Sequence, residues 1–231
     1  KGKGVSFLEN KDGWHGKPLN AEQLQEARGE IGAAEVRLSS RLAPVPVGHA
    51  AAGFEPNPYR LGEMVSTRES FGRALVKLGR SDSAVVALDA DVMNSTMTEG
   101  FFREFPERGF QNFIAEQNMA GMAIGLSALG FKPFVATFAS FLTRAHDFIR
   151  MAQYSASNIT FAGSHAGISI GPDGPSQMGL EDIPMFLSMP EALVLYPSDA
   201  VSAERLVDAA ARHPGVSYLR LTRDKTPVLY D

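Results

Sequence analysis

Hydrophobic positions follow two alternating patterns from residue 66 to the end of the chain. Continuous apolar runs, each short enough for a buried strand, occupy residues 84–90, 133–139, 158–163, 193–197 and 216–221. Between these runs, apolar side chains recur three or four positions apart, as they do on one face of a helix. This second pattern predicts a helix after Ser66 and further helices over 116–129, 141–155, 180–188 and 198–211. Strands and helices in alternation predict an α/β fold, with a doubly wound, mainly parallel sheet and helices on both faces.

Three of the predicted helices are preceded by capping residues. Asn20 with Gln23, and Ser66 with Glu69, have the spacing of a capping box, in which each side chain bonds the other residue's backbone N–H. The first of these pairs predicts a helix over residues 21–30. Ser198 is expected to cap the helix that runs through residue 211, because a serine oxygen can accept a hydrogen bond from the first turn.

Residues 42–62 have the composition of an extended linker. Four prolines and three glycines lie there among small residues, and such a segment favours neither helix nor strand. We therefore divide the chain into residues 1–41, the linker 42–62 and a main domain at 63–231. The chain opens on KGKG and stops at VLYD after a strand-like run, so we expect a piece of a longer polypeptide or one subunit of a split enzyme.

Glu116 stands out within a long apolar stretch. Only Glu116 and Lys132 are charged between residues 110 and 141, and a lone carboxylate is costly to bury unless something holds it. The predicted helix places Glu116 near a helix N-terminus, where negative charge is favoured. One interpretation is a structural capping carboxylate, and the other is a buried acid that shares a proton with a ligand.

Composition and charge exclude several classes of protein. The chain is 44% hydrophobic and 21% charged, as is ordinary for a globular protein, and its net charge of −4 does not favour nucleic-acid binding. No apolar run approaches the roughly 20 residues of a membrane span, and no signal peptide opens the chain. Cysteine is absent, which excludes disulfides and thiolate metal ligands. We expect a cytoplasmic protein without a metal site of its own.

Polar and aromatic residues follow the predicted strands at the ends where a doubly wound sheet binds its ligands. They are Asp89, Asp91, Asn94, Ser95, Phe138, Phe141, Ser164, His165, Asp173, Gln177, Ser198, Asp199 and Arg223. Glu116 is expected at the same edge. This mixture of stacking surface, titratable groups and anion binders is typical of a ligand site.

Each of these residues also has a purely structural interpretation. The two phenylalanines fit a core, His165 fits a hydrogen-bonded loop, and GPDGP at 171–175 is first of all turn chemistry. Arg68, however, lies in the first turn of its helix, where a cation is mildly unfavourable. That position hints at another task, such as holding an anion.

Long stretches of the sequence resemble the pyrimidine-binding domain of transketolases, in that family's order. These stretches are STRESFGRALVKL (66–78), LDADVMNST (88–96), FIAEQNMAGMAIGL (113–126), ATFASFLTRAHDFIR (136–150), GSHAGISIGPDGPSQMGLEDI (163–183), VLYPSDA (194–200) and YLRLTR (218–223). The head, KGKGVSFLENKDGWHGKPL (1–19), resembles the last stretch of the family's diphosphate-binding domain. The resemblance thus identifies residues 1–41 as the tail of that domain and 63–231 as the pyrimidine-binding domain.

The resemblance implies an enzyme of the pentose phosphate pathway that transfers a two-carbon ketol unit between sugar phosphates with thiamine diphosphate. It implies that Glu116 hydrogen-bonds N1′ of the aminopyrimidine and takes part in catalysis. Phe138 and Phe141 match the aromatic pocket that stacks on the pyrimidine. Asp91 matches an acid near the thiazolium, and Arg144 a further cofactor-binding position. Lys1 and His15 match positions near the cofactor, and His15 is a catalytic candidate as well.

The resemblance also implies a substrate site. His165 and Asp173 match residues that contact sugar hydroxyls, with His165 as a third catalytic candidate. Gln177 matches a substrate-facing position that is histidine in some members of the family. Arg68, Ser95 and Arg223 match a phosphate clamp, which would explain the unusual place of Arg68.

One departure from the family pattern limits what this chain is expected to do. The GDG-plus-asparagine motif that holds Mg²⁺ (or Ca²⁺) and the diphosphate is absent from the sequence. The resemblance therefore implies that a missing half binds the metal, and that this chain is inactive without it. A homodimer, or a heteromer with a diphosphate-binding subunit, would complete the pocket.

Two alternatives remain at this point. A sister enzyme of the same architecture, such as deoxyxylulose phosphate synthase or the β subunit of a 2-oxo acid dehydrogenase, would share the fold and the cofactor. A non-catalytic binding module would keep the fold alone, although the joint presence of Glu116, His165 and Arg223 argues against it.

Overall fold

A computed structural model describes residues 2–11, 14, 17–32, 54–55 and 57–230. The chain forms two compact units, Lys1–Val45 and Pro46–Asp231. In the first unit, helix α1 (Ala21–Ile31) begins with the expected capping box of Asn20 and Gln23. The Ser6 hydroxyl donates a hydrogen bond of 2.7 Å to Glu30 near the end of this helix.

The second unit is an α/β domain, as the sequence predicted. Its strands are β1 (Met64–Ser66), β2 (Val85–Asp89), β3 (Gly109–Gln111), β4 (Lys132–Phe138), β5 (Ile159–Ser164), β6 (Leu193–Leu195), β7 (Val216–Arg220) and β8 (Lys225–Pro227). Its helices are α2 (Thr67–Ser81), α3 (Met93–Thr96), α4 (Glu99–Glu104), α5 (Glu116–Ala128), α6 (His146–Tyr154), α7 (Asp182–Leu187) and α8 (Ala200–Arg212). Short 3-10 turns cover Phe141–Ala145, Gly171–Asp173 and Pro175–Gln177.

Six of the strands form a parallel sheet in the order β3-β2-β4-β5-β7-β6. Strands β1 and β8 pair separately as an antiparallel ribbon. Helices α2 and α8 pack on one face of the sheet, and α5, α6 and α7 pack on the other. Alternate residues of β2 point to the two faces. Val85 and Ala87 pack with α2 and α8, and Val86 and Leu88 pack on the face of α5, α6 and α7.

The topology opens a crevice above β2 and β4. The connection after β2 leaves along the face of α2, since Phe101 of α4 packs in that core. The connection after β4 leaves along the opposite face, where Ile149 of α6 is buried. Adjacent strands whose connections diverge in this way form the usual ligand crevice of a doubly wound sheet. Asp89 and Phe138 end the two strands there.

Most of the predicted elements are confirmed, with a few exceptions. The predicted helix over 141–155 begins as the 3-10 turn Phe141–Ala145, and only then becomes α6. Ser198 is not a helix cap, so that prediction is wrong. Asp199 is the N-cap of α8 and accepts a hydrogen bond of 2.8 Å from Ser202 N. The strands β1, β3 and β8 were not predicted, because each has only three residues and none lies in a continuous apolar run.

The last part of the predicted linker is fastened to the second unit by Glu204, a fully buried residue of α8. Its carboxylate accepts hydrogen bonds from the backbone and side chain of Asn57 at 2.9 and 2.5 Å. It also accepts one from the Tyr59 hydroxyl at 2.5 Å and pairs with Lys77 at 3.2 Å. Most of the linker upstream of Asn57 lies outside the described residues. In the described ranges, no helix is both long enough and apolar enough to span a membrane.

Candidate active site

Glu116 is the first residue of α5 and is only 4% exposed to solvent. It lies at the crevice because β3 and the following turn end at the carboxyl edge of the sheet. Its Oε1 accepts a 2.5 Å hydrogen bond from Arg144 Nη1, so the carboxylate faces a side-chain cation. Among the described residues, no hydrogen bond reaches Oε2, which leaves that atom for a donor on a bound group. This arrangement favours a ligand-facing acid over a structural helix cap.

Three nearly parallel rings stand beside this ion pair. The Phe138 and Phe141 centroids are 5.0 Å apart with a 10° angle between planes, and the His165 ring lies 3.9 Å from Phe138 at 13°. The Arg144 guanidinium covers Phe141 at 4.4 Å, which joins the stack to Glu116. A ring inserted between the two phenylalanines would need about 7 Å, twice a normal contact distance. In this conformation a pyrimidine therefore does not fit between the two phenylalanines, and His165 and Arg144 already lie against Phe138 and Phe141.

His165 is buried at the end of β5 and has a left-handed backbone, with φ of 57°. Its Nδ1 lies 3.0 Å from the Ser164 hydroxyl, and its Nε2 lies 3.9 Å from Asp173. Burial, with help from the nearby charges of Arg68 and Arg223, lowers the pKa of His165 to about 4. The imidazole is therefore neutral at pH 7, with one ring nitrogen a donor and the other an acceptor. Because Nδ1 contacts the Ser164 hydroxyl, Nε2 is the nitrogen left for a ligand.

Arg68 and Arg223 approach the same part of the crevice. Arg68 donates a 2.8 Å hydrogen bond to the backbone oxygen of Ser95, yet its buried Nε has no partner among the described residues. Arg223 donates to the backbone oxygen of Ile170 and lies 3.7 Å from Asp173. Burial and then the charge of Arg223 lower the pKa of Arg68. Two close cations with a spare N–H donor form a fitting site for an anion.

Asp89 holds the turn after β2. The sequence placed it at a strand end but did not indicate a role for it in the site. Asp89 is fully buried, and it accepts hydrogen bonds from Val92 N at 2.7 Å and from the Thr96 and Thr98 hydroxyls at 2.6 and 2.9 Å. Burial raises the pKa of Asp89. The next acid, Asp91, is exposed and left-handed, with φ of 63°. A buried acid followed by threonines was the only sequence signal for this anchor.

The remaining candidates for the site are Gln177, Lys1 and His15. Gln177 is partly buried, and its Oε1 accepts a hydrogen bond from the Ser176 hydroxyl. Lys1 and His15 lie outside the described residues. Within the part of the chain that is described, no three His, Asp or Glu side chains are grouped so that they could hold a metal ion.

Comparison with known proteins gives one consistent family. The family described as "Transketolase, pyrimidine binding domain" matches residues 63–228. Transketolase-like protein 2 of Mus musculus is 46% identical over 241 residues, and transketolase of Homo sapiens is 41% identical over 240. Both alignments cover 100% of this chain and 38% of the relative. The chain thus spans well under half the length of the curated relatives it matches.

Solved structures agree with the sequence comparisons. A structure described as a split gene transketolase, inactive β4 tetramer, is 40% identical with a TM-score of 0.65, covering 72% of this chain and 54% of that chain. Transketolase from Campylobacter jejuni is 28% identical with a TM-score of 0.70, covering 75% of this chain and 28% of that one. On the sequence, the sheet topology and these matches together, the chain belongs to the transketolase family and carries that family's pyrimidine-binding domain.

Proposed function

We propose that this chain forms the pyrimidine-binding half of a thiamine diphosphate-dependent enzyme that transfers a two-carbon ketol unit between sugar phosphates. The observation that carries the proposal is Glu116, a buried carboxylate with one free oxygen beside a stack of aromatic rings. An aminopyrimidine needs both features, a flat apolar surface and a proton-sharing acid at its edge. Bound thiamine diphosphate would supply the carbanion chemistry that breaks and forms the carbon–carbon bond.

In this proposal Glu116 shares a proton with the ring nitrogen at its edge through Oε2. Arg144 holds the other carboxylate oxygen and so fixes the direction of Oε2. The Phe141 ring, which the Arg144 guanidinium covers, would lower the polarity on one side of the pair and so strengthen the hydrogen bond. Asp91, exposed next to the crevice, is proposed to face the same cofactor. Lys1 and His15, which lie outside the described residues, are proposed as further cofactor-binding residues.

The substrate is proposed to be a sugar phosphate. Its phosphate would lie between Arg68 and Arg223, with Ser95 alongside, because an anion there relieves the repulsion between the two guanidinium groups and satisfies the spare N–H of Arg68. Neutral His165, with Asp173 and Gln177 on the following loop, would bind the sugar hydroxyls. The Nε2 atom of His165 would donate or accept one hydrogen bond there without carrying a charge.

A second half is proposed to complete the site. The metal, Mg²⁺ or Ca²⁺, and the diphosphate would be bound by that half, either in a homodimer or in a heteromer. The relative described as an inactive β4 tetramer of a split gene transketolase supports this division.

The direct test is a coupled ketol-transfer assay on this chain with its diphosphate-binding half, thiamine diphosphate and Mg²⁺. Glu116→Gln should lower kcat by about 10²–10⁴-fold, the range for loss of a positioned proton donor or acceptor, while the circular dichroism spectrum is preserved. The matched control is Glu204→Gln, because Glu204 is also a buried glutamate. That control should lose thermal stability but keep kcat at low temperature. Unchanged turnover in Glu116→Gln would refute the assignment.

A further inference from the structure

The loop from Ala166 to Gly179 carries two of the proposed substrate contacts, Asp173 and Gln177, and its two ends meet. Ala166 forms a bridge with Gly179, and Gly167 N donates a 2.8 Å hydrogen bond to the Gly179 oxygen. Gly179 N donates in turn to the oxygen of His165 at 3.4 Å. The backbone of His165 is thus tied to the point where the loop returns.

Gly179 also seats the loop against the end of β4. A Cβ on Gly179 would lie only 2.4 Å from the Cβ of Ala139, a distance that real side chains do not reach. Ala139 directly follows Phe138 of the ring stack. The return point of the loop therefore packs, without space for a side chain, beside the aromatic surface of the site.

A buried ion pair holds this return point from behind. Arg220 Nη2 donates a 3.1 Å hydrogen bond to the Gly179 oxygen, and its Nε donates one of 2.7 Å to Asp182. Asp182 Oδ2 also accepts a 2.6 Å hydrogen bond from the Tyr218 hydroxyl. Asp182 is 1% exposed and Arg220 8%, while the Arg220 guanidinium covers the ring of Tyr196 at 4.6 Å.

Such a pair is an expensive way to stabilise a core, because the desolvation of two charges can exceed their attraction. An apolar pair of similar volume would pack the same space. It could not, however, reach the carbonyl of Gly179, whereas the guanidinium bonds Asp182 and that carbonyl at once. The geometry points to a task in holding the loop.

We infer that Asp182 and Arg220 are positioning residues, which fix the loop return at Gly179 and so hold His165 and Asp173 in place for a sugar phosphate. The inference rests on the proposed function for its substrate. Neither residue touches the proposed ligand. They act through Gly179 and its hydrogen bonds to Gly167 and His165.

The first test uses this chain alone and measures amide hydrogen exchange. Asp182→Asn, and separately Arg220→Lys, should speed exchange at Gly167 by about tenfold relative to the wild type, as expected for a local opening that loses a charged hydrogen bond. Exchange in β4 should follow only the change in global stability. Arg220→Lys keeps the positive charge but removes the guanidinium that bonds Asp182 and the Gly179 carbonyl together. It therefore separates the effect of this double contact from the effect of the charge.

The matched control is Asp82→Asn. Asp82 is also buried and pairs with Lys132 at 2.8 Å, but this pair lies at the start of β4, at the far end of the sheet. The control should lose global stability in urea without selective exchange at Gly167. If Asp182→Asn and Asp82→Asn give the same pattern, the pair is merely structural and the inference is wrong.

The second test uses the assembled enzyme. Asp182→Asn should raise the KM for a ketose phosphate by about tenfold, with the concentration dependence on thiamine diphosphate unchanged. Equal effects on substrate and cofactor would overturn the inference. If the wild-type assembly shows no ketol transfer, the proposed function fails, and the exchange experiment still decides whether the pair holds the loop.

Discussion

Arg68 and Arg223 carry like charges, and an anion bound between them would reduce their repulsion. Charged hydrogen bonds are worth about 1.5–3 kcal/mol each, so Arg68→Ala or Arg223→Ala should raise the KM for a ketose phosphate by about 10–100-fold. The KM for the same ketose without its phosphate should change little. Steady-state kinetics of the assembled enzyme with both substrates measures the difference.

The surface arginine Arg103 provides the control for this pair. It is exposed, and among the described residues it pairs only with Glu99, at i,i+4, so Arg103→Ala should leave both KM values unchanged. Equal losses for phosphorylated and unphosphorylated sugars in the Arg68 and Arg223 variants would mean that these residues do not bind phosphate.

His165 predicts a pH dependence of stability. Its pKa is about 4 in the folded chain and about 6.5 when unfolded, so the unfolded state binds the proton first as the pH falls. Its contribution is therefore complete above pH 6.5 and is lost between pH 6.5 and about 4. The loss should be about 1.4 kcal/mol per pH unit in the free energy of unfolding.

Urea unfolding of the wild type and of His165→Asn at pH 6.5, 5.5 and 4.5 measures this slope, since it covers the window set by the folded pKa of about 4. Asparagine suits the exchange because it tolerates the left-handed backbone at this position. The groups facing the ring, Arg68, Arg223 and Asp173, stay in place in the variant. Parallel pH profiles for the two proteins would contradict the prediction.

At the level of elements, Asp199 fastens the start of α8 to the end of the chain. Its Oδ1 accepts hydrogen bonds from Ser202, and its Oδ2 accepts them from Leu229 N and Tyr230 N at 2.8 and 3.2 Å. Asp199→Ala should therefore cost more than the loss of a simple cap, about 2–4 kcal/mol, because it also removes the partner of two partly buried N–H groups, those of Leu229 and Tyr230. Ser198→Ala, one residue earlier, should cost less than about 0.5 kcal/mol. Urea or thermal unfolding of both variants measures the two losses of stability. Similar losses in Asp199→Ala and Ser198→Ala would refute the role of Asp199.

The elements that could be predicted are those whose cause lies within the local sequence. Both predicted capping boxes are present, and the five apolar runs became strands of the parallel sheet, because capping and burial depend on neighbouring residues. Ser198 and Asp199 are both good caps, and only the tertiary contact to Leu229 distinguishes them. The start of the segment after β4 was misjudged for a similar reason, because Phe141 is placed by its ring stack with Phe138.

The same limit applies to the candidate site. The strand ends predicted that Glu116, His165 and Arg223 would meet at one edge, since topology alone carries residues there. Stacking of His165 on Phe138, the bond from Arg144 to Glu116 and the buried pair of Asp182 and Arg220 involve residues 27 to 38 positions apart. No local pattern encodes such contacts, so they had to come from the structure.

At the scale of the whole molecule, the described residues provide the proposed cofactor with one end of a binding site, an acid and aromatic rings. One ring contact is worth about 0.5–1.5 kcal/mol and one charged hydrogen bond about 1.5–3 kcal/mol. Their sum stays near the 4 kcal/mol that corresponds to a millimolar dissociation constant. The cost of association lowers it further.

We therefore expect no binding of thiamine diphosphate tighter than about millimolar when it is titrated into this chain with Mg²⁺ in a calorimeter. Thiamine without its diphosphate should bind this chain as weakly as thiamine diphosphate does, because the described residues contact the ring end of the molecule through aromatic rings and an acid. After the diphosphate-binding half is added, thiamine diphosphate should bind far more tightly than thiamine, and ketol transfer should appear only with the diphosphate. Micromolar binding or turnover by the chain alone would show that the site is already whole, and that residues outside the crevice described above hold the diphosphate.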